Sequence, residues 1–95
     1  MSVRIRLHGT LQNAVGKGSF QVKLAKPITL RELIKKLTES IAPKLREVLI
    51  NPDLLDPRPN TLILVNGKEV SALEGLETRV QVGDEVVFIP VSHGG

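Results

Sequence analysis

Only one stretch of this chain has helical periodicity over a length that could cover a sheet. Thr29 and Glu32 have the spacing of a capping box, in which each side chain bonds to a backbone N–H at the start of a helix. Apolar residues then follow at the spacing of one helix face: Leu30, Leu33, Ile34, Leu37 and Ile41. One main helix packs on one face of a sheet, so we expect a two-layer α+β architecture.

The N-terminal segment alternates apolar and polar residues in two runs, which predicts a β-hairpin. The first run covers residues 3–8 and the second covers 20–24. We expect Gly9 and the Gly16–Gly18 cluster to bound a long turn between them. These glycines do not form a dinucleotide-binding fingerprint, because Gln21 stands where its third glycine belongs.

The C-terminal half predicts three more strands, which gives a mixed sheet of four to five strands in total. A short second helix over 44–50 and a proline-rich loop over 51–60 come first. The Asn66-Gly67 pair is a strong hairpin signal between the first two of these strands. The first and last strands of the chain are both apolar, so we expect them to be parallel neighbours at the sheet centre. The three expected strands cover 61–65, 68–70 and 85–91.

The composition of the 95-residue chain excludes several classes of function. It has no cysteine, so no disulfide framework, zinc ribbon or thiol nucleophile is available. His8 and His93 are the only histidines, and a metal site would need carboxylates that are distant in sequence. Ser92 is adjacent to His93, too close for a nucleophile–base pair. No apolar stretch is long enough to span a membrane, and the N-terminus lacks the charged region and apolar run of a signal peptide, so we expect a cytoplasmic protein.

Two of the predicted strands are apolar at successive positions, so their side chains point to both faces of the sheet. One face packs against the helix, and the other is left with an uncovered apolar patch. Such a patch is typical of a docking surface for another protein. The alternative is that the segment 43–60 folds over it. The patch consists of Leu62, Leu64, Val87 and Ile89.

The chain ends in Gly94-Gly95, after the last predicted strand. We expect residues 91–95 to form a flexible tail that reaches at most about 18 Å. Glycines have no Cβ and therefore pass through a narrow channel in another protein. A terminal carboxylate, with a pKa of about 3.3–3.7, is an anion at neutral pH and must be activated before it reacts. An acyl adenylate made from ATP would yield a thiocarboxylate with a sulfur donor, or an isopeptide bond with a lysine.

Three motifs together resemble the ubiquitin-like sulfur carriers, namely the MoaD/ThiS family and the ubiquitin-related modifiers. They are LVNGKEV at 64–70, VGDEVVFIPV at 82–91 and the terminal Gly-Gly, in the order hairpin, capped helix, strands and tail. The resemblance implies a ubiquitin-like β-grasp fold, with residues 1–95 forming one domain. It also implies that Gly95 is adenylated by a MoeB-like or ThiF-like activating enzyme. ATP would bind to that enzyme, and no cofactor would bind to this chain.

The same resemblance implies roles for particular residues but leaves the pathway open. Leu64 and Ile89 would belong to the docking surface, and Gly94 and Gly95 would enter the activating enzyme, with His93 beside them. The ending at 92–95 resembles the ubiquitin-related modifiers, whereas residues 88–91 resemble MoaD. By this resemblance, the acceptor would be a MoaE-like large subunit, a tRNA thiolation enzyme, or target proteins conjugated through Gly95.

Two alternatives from other classes remain open. The net charge of +3 is compatible with a small basic RNA-binding module. Such modules stack bases on exposed aromatic side chains, however, and both Phe20 and Phe88 occupy core-like positions, so we do not expect nucleic acid as a partner. The second alternative is a plain interaction domain whose terminal glycines are incidental. The basic residues considered for RNA are Arg4, Arg6, Lys35, Lys36, Lys44 and Arg46.

Overall fold

A computed structural model describes residues 1–49 and 61–91 of the chain, without the side chains of residues 48 and 49. The main sheet has five strands in the order β2-β1-β7-β4-β5, and β3 and β6 form a second, two-stranded sheet. The strands and α-helices, in chain order, are β1 (Ser2–Leu7), α1 (Gly9–Val15), β2 (Ser19–Lys23), β3 (Ile28–Thr29), α2 (Leu30–Lys36), α3 (Leu45–Leu49), β4 (Thr61–Val65), β5 (Lys68–Glu69), β6 (Arg79–Val80) and β7 (Glu85–Pro90).

The sheet is mixed, as the sequence predicts. β1 and β7 are parallel neighbours in its centre, and the other ladders of the main sheet are antiparallel. Asn66 (φ 50°) and Gly67 (φ 85°) form the two-residue turn between β4 and β5, with both residues in the left-handed region that a type I′ turn requires. The predictions of parallel central strands and of this hairpin are confirmed.

The main helix begins at the predicted capping box. The Glu32 backbone N–H donates to Thr29 Oγ1 (3.1 Å), and the Thr29 N–H donates to the Glu32 carboxylate (3.4 Å). After α2 the chain continues as one π-helical turn, Leu37–Ile41. Leu30, Leu33 and Leu37 are fully buried in one core with the inner face of the sheet. Burial of this face stabilises the two-layer arrangement.

The expected long turn between the first two strands is wrong in one respect, because it contains the helix α1. The helix is only seven residues long and buries a single residue, Leu11, so it leaves almost no periodic signal in the sequence. It ends at Gly16, which adopts φ 90° and donates its N–H to the Gln12 carbonyl (2.8 Å).

The second, small sheet is also absent from the sequence prediction. Ile28 pairs with Val80 and Thr29 pairs with Arg79, and the Leu30 N–H donates to the Thr78 carbonyl (2.8 Å). Strands of two residues are too short to show alternation. They tie the start of α2 to the segment that leads into β7.

The remaining predicted elements are found with small shifts. The short second helix is α3, and its Leu45 is fully buried. The strand expected at 68–70 ends at Glu69, and two 3₁₀ turns follow, Val70–Ala72 and Gly75–Glu77. The loop predicted at 51–60 lies outside the described residues. Within the described part of the chain, no helix has the length and apolar character needed to cross a membrane.

Candidate functional site

The outer face of the sheet carries the four apolar residues that the sequence assigns to a docking surface. Leu62 is in register with Ile89, and Leu64 is in register with Val87, so β4 and β7 bring all four side chains together. Leu62, Leu64 and Ile89 are half-buried. We call these four residues the outer apolar face.

Their neighbours along the strands point the other way. Ile63, Val65, Val86 and Phe88 lie in the buried core, which also includes Leu11 of α1, Leu33 of α2 and Leu45 of α3. The described helices therefore pack on the inner face. The part of the 43–60 segment that the structure describes joins this inner layer, since α3 packs against α1. Residues 50–60, for which a covering position was the alternative, lie outside the described residues.

Val87 corrects the expectation of a uniformly open patch, because its side chain is only 8% exposed. It lies on a central strand, in register with Arg6 on one side and Leu64 on the other. A side chain on a central strand has neighbours on both sides, and valine is shorter than either arginine or leucine. The accessible apolar surface is therefore supplied by Leu62, Leu64 and Ile89, with Val87 as their support.

The outer apolar face has basic residues along one border and an acidic residue on the other. Arg4 and Arg6 lie on β1, the strand next to β7. Arg6 Nη1 lies 3.9 Å from the Glu85 carboxylate in a solvent-exposed ion pair. On β5, Glu69 is in register with Leu64. The hydroxyl and the backbone N–H of Ser71 both donate to Glu69, and these bonds hold its carboxyl pKa below the ordinary value of 4.5. Glu69 is therefore an anion at neutral pH.

The motifs at 64–70 and 82–91 form hydrogen bonds to each other at the end of the sheet opposite the base of the tail. Asn66 Nδ2 donates to Asp84 Oδ1 (3.0 Å), and the Glu85 N–H donates to Asn66 Oδ1 (2.9 Å). The Gln81 N–H donates to the other Asp84 oxygen (2.9 Å). These bonds join the turn after β4 to the turn before β7. They hold the two strands of the outer apolar face in register.

The last strand ends beside this face. Ile89 and Pro90 pair with Leu62 and Thr61, and Val91, the last described residue, is exposed. The predicted tail residues His93, Gly94 and Gly95 lie outside the described residues. The base of the tail is thus at the Leu62–Ile89 end of the outer apolar face.

The basic residues considered for RNA lie on separate surfaces. Arg4 and Arg6 are on the outer face, whereas Lys35 and Lys36 are exposed on α2 in the helix layer. Phe88 is fully buried and Phe20 packs against the core. Neither phenylalanine offers an open stacking surface beside the arginines. Among the described residues, no group of three or more His, Asp or Glu side chains is placed to hold a metal ion.

Comparison with known proteins gives the family. A sequence model of the ThiS family matches residues 5–95. The chain belongs to the ThiS family. Over its full length it is 33% identical to a protein of Archaeoglobus fulgidus named as a candidate sulfur carrier, and all of that protein is covered. It is also 32% identical to small archaeal modifier protein 3 of Haloferax volcanii, with 99% of this chain and 100% of the relative covered.

The solved structures give the fold. The crystal structure of the small archaeal modifier SAMP1 from Haloferax volcanii superimposes with a TM-score of 0.82, covers both chains completely and is 21% identical in sequence. The fold is therefore the ubiquitin-like β-grasp. The resemblance based on the motifs and the Gly-Gly ending is confirmed at the level of family and fold. The chain is a sulfur carrier or ubiquitin-like modifier of this type.

Proposed function

We propose that this protein is a sulfur carrier that reacts through the carboxylate of Gly95. An activating enzyme of the MoeB or ThiF type transfers AMP from ATP to the carboxylate and releases pyrophosphate. A sulfur donor then displaces AMP and leaves a thiocarboxylate. The chain itself acts as a substrate and supplies no catalytic group.

The observation that carries the proposal is the position of the outer apolar face next to the base of the tail. Leu62, Leu64 and Ile89 stay half-buried where the described helices all pack elsewhere, and the chain leaves β7 at the same end. A partner bound on this face lies within the roughly 18 Å that residues 91–95 span when extended. Membership of the ThiS family supports the same reading.

The tail residues have complementary roles in this proposal. Gly94 and Gly95 enter a narrow channel of the activating enzyme, because the absence of a Cβ lets the backbone pass and adopt any conformation there. His93 lies at the channel mouth and helps to orient the two glycines. ATP binds to the activating enzyme.

Arg4 and Arg6 favour an activating enzyme whose docking surface is apolar in the centre and acidic along one edge. The opposite border, where Glu69 is ionised, favours a basic group on the partner. Two borders of opposite charge fix the orientation in which the carrier binds, since the reversed orientation places like charges together.

The direct experiment is intact mass spectrometry of the 95-residue chain after incubation with ATP, an activating enzyme and a sulfur source. We expect a mass increase of the intact chain equal to the exchange of one oxygen for one sulfur, and fragmentation of the chain should place it at Gly95. An unchanged mass in a reaction that converts a known carrier of this family would refute the proposal.

The second candidate is a protein modifier joined through Gly95 to lysines of target proteins. It is favoured by the 32% identity to a small archaeal modifier protein. The same experiment in a cell extract separates the two. Conjugation gives Gly95 linked to lysine side chains, whereas a carrier gives only the thiocarboxylate, destined for a MoaE-like subunit or a tRNA thiolation enzyme.

A further inference from the structure

The last strand changes its surroundings between Phe88 and Pro90. Up to Phe88 it is a central strand, and the His8 N–H donates to the Phe88 carbonyl (3.1 Å). Beyond this point β1 is no longer a partner, and only Leu62 and Thr61 of β4 pair with the strand. Strand pairing therefore holds the base of the tail on one side only.

The hydrogen bonds explain why the β1 ladder stops there. In a parallel ladder, the next bond would run from the N–H of residue 90 to the His8 carbonyl. That carbonyl instead accepts the N–H groups of Leu11 (3.1 Å) and Gln12 (3.4 Å) in the first turn of α1. Pro90 has no N–H, so the ladder ends without an unpaired donor.

The ring of Pro90 lies close to Gly9, the first residue of α1. A Cβ at Gly9 would lie 3.1 Å from Pro90 Cγ, closer than an ordinary contact, and Gly9 adopts φ 55°. Only glycine satisfies both conditions at no cost. The helix α1, which the sequence pattern does not reveal, thus forms one wall of the exit from the sheet.

We propose that Gly9 and Pro90 are positioning residues whose contact fixes the direction in which the tail leaves the sheet. This inference rests on the proposed function. Docking through the outer apolar face determines affinity, whereas the direction of the tail determines how often a docked carboxylate meets ATP. A change at Gly9 or Pro90 therefore lowers kcat of adenylation and leaves KM for the carrier unchanged.

The first test compares Gly9→Ala with Gly16→Ala in ATP–pyrophosphate exchange with the activating enzyme. Gly16 also has a positive φ of 90°, but a Cβ there meets nothing within 4 Å, so this variant controls for backbone strain alone. We expect Gly9→Ala to lower kcat by about tenfold or more, the scale of effect that a small misplacement of a reacting group produces. Gly16→Ala should retain the wild-type kcat.

The second test uses the Pro90→Ala variant, alone and combined with Gly9→Ala. Without the Pro90 ring, the direction of the tail is no longer fixed and kcat falls. The methyl group that Gly9→Ala adds then has no ring atoms with which to clash. Gly9→Ala should therefore have no further effect on kcat in the Pro90→Ala background. Circular dichroism establishes that each variant folds. If Gly9→Ala fails to fold, Pro90→Ala alone decides.

The inference is overturned if Gly9→Ala and Gly16→Ala have the same kcat, or if Pro90→Ala has the wild-type kcat. In both cases the proposed function still stands as long as the wild-type chain supports ATP–pyrophosphate exchange. If the wild-type chain supports no exchange, the proposed function itself is overturned. A readout without the enzyme is the amide resonance of Val91, which should move in Gly9→Ala and stay in place in Gly16→Ala.

Discussion

The two faces of the main sheet carry similar aliphatic side chains on the same strands but differ in what lies against them. On β4, Ile63 is 1% exposed and packs in the core, whereas Leu62 and Leu64 on either side are half-buried. The inner residues contact the helices and determine stability. The outer residues lie on the face opposite this core, and we propose that they determine binding. Adjacent positions on one strand thus affect either stability or binding, so variants at neighbouring residues form matched pairs.

The largest expected effect on stability is on the inner face. Phe88→Ala removes the largest fully buried side chain among the described residues, and we expect the free energy of unfolding to fall by about 3–5 kcal/mol. Ile89→Ala, one residue further, should cost about 1 kcal/mol or less, because its side chain is already partly in water. Denaturant unfolding followed by circular dichroism measures both. Equal losses would mean that the two faces are equally covered.

The next effect sharpens the contrast on β4. Leu64→Arg should weaken binding to the activating enzyme by about 2 kcal/mol, roughly thirtyfold, because it places a charge in the centre of the interface. Its free energy of unfolding should change by about 1 kcal/mol or less. Ile63→Arg is the matched control and should unfold the protein, since it buries an unpaired charge. Calorimetric titration gives the affinity. A Leu64→Arg variant that binds normally would remove the docking role from this face.

A smaller effect is expected on the basic border. Arg6→Glu should lower the association rate with the activating enzyme by about tenfold at low salt, because it reverses the charge that steers the encounter. The difference should shrink as ionic strength rises. Lys36→Glu is the control, since Lys36 is exposed on α2 in the helix layer. Stopped-flow association rates that are equal for the two variants would contradict an acidic partner edge.

The smallest effect concerns Glu69. Its carboxyl pKa is lowered in the folded protein, first by the Ser71 hydroxyl and then by the Ser71 N–H. A lowered folded pKa adds stability above the unfolded value of 4.5, and this stability is lost as pH falls through the folded pKa. Ser71→Ala should therefore be less stable than wild type at pH 7, and the gap should close on acidification below 4.5. A gap that is independent of pH would exclude this linkage.

Much of the fold could be predicted because the sequence patterns of its main elements extend over several residues. The capping box at Thr29, the alternation in β1 and the Asn66-Gly67 turn each fix an element over several residues. The helix α1 was missed because it buries only Leu11, and the β3–β6 sheet because its strands have two residues each. The family resemblance came from motifs spread over the whole chain.

The candidate site was predictable in composition but not in geometry. Consecutive apolar residues in β4 and β7 show that some side chains must point away from the core, and the alternation identifies Leu62, Leu64 and Ile89. Val87 is buried on a central strand, where its neighbours in register, Arg6 and Leu64, come from two other strands, and the approach of Pro90 to Gly9 joins residues 81 positions apart. Pairwise contacts of this kind leave no trace in a single sequence. The roles of His93, Gly94 and Gly95 stay predictions.

Pyrophosphate exchange by a chain that lacks Gly95 tests the central claim most directly. With the activating enzyme and ATP, the wild-type chain should support exchange and the shortened chain should not. Both should melt at the same temperature, because the core of the described residues extends no further along the chain than Phe88. Exchange at the wild-type rate without Gly95 would contradict the account.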